Sequence, residues 1–161
     1  RMTQQSVQPA AAPASGGAAT DATAGNGAAA AAAHTLPGSQ ALALLEALPE
    51  WGDLVTIVLH GGCVFEFKGP FPRGSVGRGF YNLDGPVPGF HGHLRLDAID
   101  HIGFQDRPHA GRPAYALTFN DREARNLFKV FLGRDAEGAI WPEQLARFDA
   151  LRRQAAGEAA A

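Results

Sequence analysis

Leu42, Leu45 and Leu48 recur every third residue and stop at Pro49. That spacing predicts a short helix over residues 39–48, capped by Ser39 and ended by the proline. Beyond Trp51 the pattern turns from helical spacing to alternation. Residues 54–60 and 63–68 are rich in β-branched and aromatic side chains, and Gly61-Gly62 separates them. This predicts two strands joined by a two-residue hairpin turn. Pro, Gly and Arg dominate residues 69–79, which read as a loop. Further strands are predicted over 80–83, 91–97, 99–104, 114–119 and 126–132, with turn residues between them. A closing helix over 141–154 has Pro142 in its first turn and Leu145, Phe148 and Leu151 on its buried side. Seven short strands between an N-terminal and a C-terminal helix predict an α+β fold with a largely antiparallel sheet.

Composition divides the chain. Residues 1–39 hold fourteen alanines, no aromatic residue and two charged ones, Arg1 and Asp21. Such a segment buries too little apolar surface to offset the entropy of ordering it. A disordered tail is therefore expected over residues 1–38. The tail has no basic stretch followed by a Leu-rich run, so a signal peptide is not expected. All fourteen aromatic residues lie between Trp51 and Phe148, which places the folded domain over residues 39–153, followed by a frayed end over 154–161. No run approaches ~20 bulky apolar residues, so no membrane-spanning helix is expected. The chain's 14 Lys+Arg face 16 Asp+Glu, a balance that argues against nucleic acid held by bulk charge. The single cysteine, Cys63, excludes an intramolecular disulfide and a multi-cysteine metal cage. It is expected to be a small buried hydrophobe.

Alternation then places the histidines. With Gly61-Gly62 as the turn, His60 and Cys63 stand opposite each other and share a face with Thr56, Val58, Phe65 and Phe67. In the strand from His91, the residues His91, His93, Arg95 and Asp97 point one way, and Gly92, Leu94 and Leu96 the other. Two imidazoles and a guanidinium in a row support three readings. In the first, an imidazole ligates haem iron, phenylalanines form an apolar slot, and arginines meet the propionates. Phe65, Phe67, Phe71, Phe80, Phe90 and Phe104 are the slot candidates, and Arg73, Arg78 and Arg95 the cationic ones. In the second, His91 and His93 hold a bare divalent ion in a cupin-like enzyme, with Asp97 close to the position of that motif's acid. In the third, every histidine is structural or solvated on the wet face of an antiparallel sheet. His101 and His109 read as structural or solvated, and His34 lies in the tail. The glycine-rich run from Gly74 to Gly79 lacks the Gly-Lys-Ser/Thr ending of a phosphate loop. Nothing pairs Glu66 or Asp97 with a nucleophile.

Several runs together resemble a known family. They are Leu48-Pro49-Glu50-Trp51-Gly52, the stretch from His60-Gly61-Gly62-Cys63 to Gly69-Pro70-Phe71-Pro72, Gly79-Phe80-Tyr81-Asn82-Leu83, Gly89-Phe90-His91-Gly92-His93-Leu94-Arg95-Leu96, Phe128-Lys129-Val130-Phe131-Leu132-Gly133-Arg134-Asp135, and Pro142-Glu143-Gln144-Leu145. In that order they resemble the HutX/ChuX family of cytosolic haem-utilisation carriers. The resemblance implies a split-barrel-like α+β fold that dimerises through its sheet. It also implies a cytoplasmic protein that binds haem b and passes it to a haem-degrading enzyme without catalysing a reaction. The family's haem-ligating histidine in the Gly-His element corresponds to His93. A second family histidine falls on Leu59 by gapless counting from Trp51-Gly52, one residue short of His60. A bulge would bring His60 into place; otherwise His93 acts with another ligand. The expected site is thus His93, His60 and His91 with Arg78, Arg95, Phe67 and Phe90. A haem-degrading enzyme on the same scaffold is the remaining alternative.

Overall fold

A computed structural model describes residues 34–157. Most of the expected tail and the last four residues lie outside them. Strand β1 (Leu36–Pro37) leads through a 3₁₀ turn (Gly38–Gln40) into α1 (Ala41–Ala47) and a second 3₁₀ turn (Leu48–Trp51). Strands β2 (Asp53–His60), β3 (Cys63–Pro70), β4 (Gly74–Gly77), β5 (Phe80–Leu83) and β6 (Gly92–Arg95) follow. After a 3₁₀ turn (Leu96–Ala98) come β7 (His101–Asp106), β8 (Tyr115–Asn120), β9 (Asn126–Leu132) and α2 (Pro142–Ala155). The strands form a six-stranded sheet in the order β1-β7-β8-β9-β2-β3 and a three-stranded sheet in the order β4-β5-β6. Every pairing is antiparallel. The fold is α+β, and neither sheet closes into a barrel.

Period-two alternation sorts the large sheet into two faces. Leu54, Val130, Leu132, Leu117, Phe119 and Ile102 are buried on the inner face. Helix α2 covers one end of it, setting Phe148 edge-on to Phe104 and Tyr115, with ring centroids 5.4 and 5.6 Å apart. Leu44, Leu45 and Leu48 join the same core from the N-terminal helical segment. The outer face carries Val55, Ile57, Leu59, Val64, Phe131 and Lys129, half-buried or exposed. There the Lys129 ammonium donates to Gln105 Oε1 at 3.0 Å. Burial, with Arg107 nearby, holds that amine below the usual lysine range.

One buried amide ties three segments together. Gln144, in the first turn of α2, accepts from Gly133 N at 2.7 Å and donates to the carbonyls of Trp51 and Asp53, each at 2.8 Å. It therefore joins the start of β2 to the end of β9. Gly133 is needed there, because a Cβ would lie 2.0 Å from Asp53 O.

The structure departs from the expected elements where tertiary contacts override local signals. Leu36, placed in the tail by composition, is buried opposite Ile102 in β1. Ser39 makes no cap bond; the turn is set instead by Gly38 N, which donates to Asp100 O at 2.7 Å. Pro49 does not stop the helical path, because it stands at the start of a new 3₁₀ turn, where its missing N–H costs nothing. The expected loop over 69–79 contains β4, whose glycines hid it. A Cβ at Gly74 would meet Asn82 O at 2.5 Å, so this strand can lie against β5 only with glycine there. Cys63 is exposed at the hairpin end, not buried.

Replacing Gln144 with Leu should destabilise the fold by about 2–4 kcal/mol, because it leaves one buried N–H and two carbonyls without partners. Urea denaturation followed by Trp fluorescence measures this. A loss below about 0.5 kcal/mol, the usual range for a surface substitution, would mean the tie carries little.

Candidate functional site

The inner face of the large sheet continues past the helices into a cleft of about 270 Å³ between the two sheets. Thr56 and Val58 of β2 and Phe128 of β9 line one side. Leu83 of β5 and His93, Leu94 and Arg95 of β6 line the other. Phe71 and Phe90 also line it. Phe90 stacks on Phe67 with centroids 4.5 Å apart and stands edge-on to Phe71 at 5.7 Å. The walls are mostly apolar, and they carry one imidazole, one guanidinium and no carboxylate.

His93 and Arg95 are exposed, on the same side of β6, while Leu94 turns toward the core. The cross-strand neighbour of His93 is Asn82, and Nδ1 of the imidazole lies 2.7 Å from Asn82 Oδ1. Phe80 stands edge-on to the same ring, 6.2 Å away. Arg95 pairs with Asp97 through Nε at 2.8 Å and Nη2 at 3.2 Å. That contact raises the guanidinium pKa and lowers the Asp97 pKa, in both cases mainly through the side-chain hydrogen bond. The pair is solvent-exposed, so it orients the guanidinium more than it stabilises the fold.

The other expected residues do not converge on this cleft. His60 is exposed at the end of β2, opposite Cys63. The β2–β3 register runs unbroken from Asp53↔Pro70 to His60↔Cys63, without a bulge. His60 thus shares a face with the cleft-lining Thr56 and Val58, and Leu59 points to the outer face. His91 is exposed just before β6, and Arg78 is exposed between β4 and β5 at φ 56; neither lines the cleft. Of the proposed phenylalanine slot, Phe104 instead packs under α2, and Phe65 is exposed. Among the described residues no three His, Cys, Asp or Glu side chains gather to hold a metal ion. Asp97 is engaged by Arg95 rather than set beside the histidines, which removes the geometric basis of the cupin-like alternative. No helix among those residues is long and apolar enough to cross a membrane.

The haem-utilisation ChuX/HutX family model matches residues 34–151. The chain belongs to the ChuX/HutX family. Over 129 residues it is 43% identical to HutX, the intracellular haem transport protein of Vibrio cholerae, covering 75% of this chain and 67% of that one. Among solved structures, the haem-binding protein ChuX superposes with a TM-score of 0.68 at 28% identity, over 75% of this chain and 76% of the other. A protein from Agrobacterium tumefaciens superposes with a TM-score of 0.69 at 31% identity, over 74% and 69% of the two chains. The matched span begins at His34, before the expected domain start, in keeping with the buried β1.

Sequence patterning overlooked Asn82, Thr56 and Phe128. Thr56 and Phe128 sit on strand faces that read as ordinary core. Asn82 alternates with buried Tyr81 and Leu83, so a half-buried polar position opposite His93 was its only signal.

Phe90→Ala should widen the cleft and cost about 3 kcal/mol, the low end for a buried Phe that loses its stacking partners. Thermal unfolding gives the loss, and uptake of an apolar dye reports the enlarged space. A stability change under 1 kcal/mol would show that the aromatic wall collapses to fill the gap.

Proposed function

We propose that this chain is an intracellular haem carrier that holds haem in the cleft between its sheets and releases it to a haem-degrading enzyme. The observation that carries this is a mostly apolar cleft with a single imidazole and a single guanidinium on its walls, in a chain of the ChuX/HutX family. The family's named relatives support the ligand: HutX is a haem transport protein, and ChuX a haem-binding protein. The haem iron takes His93, a propionate takes Arg95, and the Phe67–Phe90 stack backs the macrocycle. His60, exposed at the end of the hairpin on the face of Thr56 and Val58 but outside the cleft, is the candidate for a second ligand. His91 and Arg78 stand outside the cleft and serve at most its approach.

The size of the cleft suits transfer better than storage. Sites that enclose a small molecule span roughly 300–1,000 Å³, and this one offers about 270 Å³. A macrocycle seated there keeps an edge in solvent, where a receiving protein can reach it.

Two copies associate through the outer face of the large sheet. Val55, Ile57, Leu59, Val64 and Phe131 supply an apolar surface there. The partly desolvated Lys129 is a charge that such packing would bury at a cost, and Glu66 and Lys68 of β3 stand on the same face.

Titrating the protein with hemin should give a saturable Soret band. His93→Ala should change its position and weaken binding by at least tenfold, and His60→Ala should produce a smaller change. An unaltered spectrum and affinity in His93→Ala would overturn the ligand assignment. For the dimer, sedimentation should show Ile57→Arg as a monomer. Lys129→Met should associate more tightly and unfold at higher urea near neutral pH. Because the folded lysine pKa lies below the unfolded one, the penalty on the ammonium is fully present at low pH and fades as pH rises through the folded value. The advantage of Lys129→Met should therefore shrink toward the ordinary lysine range. Native dimers left intact by Ile57→Arg would rule out this face.

A further inference from the structure

The ring nitrogens of His93 are not equivalent in this fold. The Asn82 side-chain amide sits between the imidazole and the backbone of β4. Its Nδ2 donates to Ser75 O at 3.1 Å and to Gly77 O at 3.4 Å. Both neighbours are carbonyls and can only accept. The amide must therefore present its NH₂ to them and its oxygen to His93. A flipped amide would set its oxygen against both carbonyls and lose both bonds. With Asn82 Oδ1 as an acceptor 2.7 Å from His93 Nδ1, that nitrogen must carry the proton. In the neutral ring the lone pair then lies on Nε2. Phe80 stands edge-on to the ring and limits its rotation about the hydrogen bond.

We propose that Asn82 is a positioning residue for His93, fixing the Nδ1–H tautomer so that Nε2 is the nitrogen offered to iron. The proposal rests on His93 as the haem ligand for its purpose, but not for its geometry. Histidine free in water prefers the opposite tautomer, with the proton on Nε2, which leaves the lone pair on the ring nitrogen nearer the backbone. Asn82 reverses that preference before any ligand arrives. A ligand's imidazole is commonly oriented and made more basic in this way, by a partner accepting from its second nitrogen. Here the partner is itself locked, because two carbonyls of β4 hold its amide from the far side. The short glycine-containing strand β4 thereby gains a role, since its carbonyls determine which end of the amide faces the histidine.

Two measurements test this separately from haem binding as such. The first uses the full chain without haem, labelled with ¹⁵N-histidine, in a long-range ¹H–¹⁵N correlation spectrum at alkaline pH, where imidazoles are neutral; His93→Gln assigns the signals. The native chain should show His93 as Nδ1–H. Asn82→Leu should revert it to the Nε2–H form or a mixture. Asn82→Asp keeps an acceptor while giving up both donors, and should retain Nδ1–H; it also guards against a folding failure confined to the leucine variant. An Nε2–H signal in the native chain, or no change in Asn82→Leu, overturns the proposal.

The second measurement is hemin affinity. Asn82→Leu should bind 10- to 100-fold more weakly than the native chain. In the ferrous form, with His60→Ala added so that His93 is the only protein ligand to iron, the iron–histidine stretching band in resonance Raman should fall in Asn82→Leu and rise in Asn82→Asp, because the frequency follows the strength of the Nδ1 hydrogen bond. A merely structural role for Asn82 would not move that band in opposite directions. If His93→Ala binds hemin normally, the ligand assignment fails while the tautomer result stands. If His93→Ala is impaired and the Asn82 variants are not, this proposal alone fails.

Discussion

The cleft depends on a single buried amide at its far end. Backbone groups at the start of β2 and the end of β9 have no ladder partners, and leaving such groups unmet in the interior is costly. Gln144 meets three of them at once, from a helix some ninety residues away in sequence from the first two. This fixes where β2 begins relative to β9. Because side chains alternate with period two, it also fixes which residues of both strands face inward. Thr56, Val58 and Phe128 reach the cleft only in that register. A shift of one residue would present Val55 and Ile57 in place of Thr56 and Val58 and expose the core to water.

The small sheet makes the opposite wall by other means. It has little core of its own beyond Tyr81 and Leu83. Its shape comes from close backbone approach: Gly74 against β5, and Gly85 against the backbone of Arg73, whose carbonyl accepts from both Asp84 N and Gly85 N. Burial pushes up the Tyr81 phenol, with Glu46 adding to the effect. His93 and Arg95 of this sheet stand at the cleft. His93, Asn82 and Arg95 are each held by a neighbour, so the chemistry at the cleft edge is set before a ligand enters.

The fold was legible wherever hydrophobic spacing was strong. The Gly61-Gly62 hairpin appears in the register expected from alternation, because β-branched runs on both sides and a two-glycine turn all point to one pairing. The face of His60 followed from the same counting. Elements made of small or constrained residues were not legible. Leu36-Pro37 and Gly74–Gly77 become strands only because β7 and β5 supply the partners, and no local preference signals that. At the site, His93, Arg95 and Phe90 could be singled out by residue type and strand phase. Asn82 could not, since its importance arises from three hydrogen bonds to residues five to eleven positions away. Arg78, His91 and Phe104 carried the right chemistry, but the chain path takes them elsewhere.

The β2–β3 hairpin outruns the sheet that supports it. Strand β9 pairs with β2 only from Leu54 to Ile57, so the last turn of the ladder, from Val58 to Phe65, has no third strand beside it. A two-stranded ribbon alone is marginal in water. With fewer contacts to hold it, this end of the molecule is expected to open at a lower free energy than the domain as a whole. His60 stands on this ribbon, and His93 on β6 of the small sheet. A ligand held by both has to order the ribbon, and part of its interaction energy goes into that ordering. For a ligand held that way, release would begin by fraying at the His60 end of the hairpin.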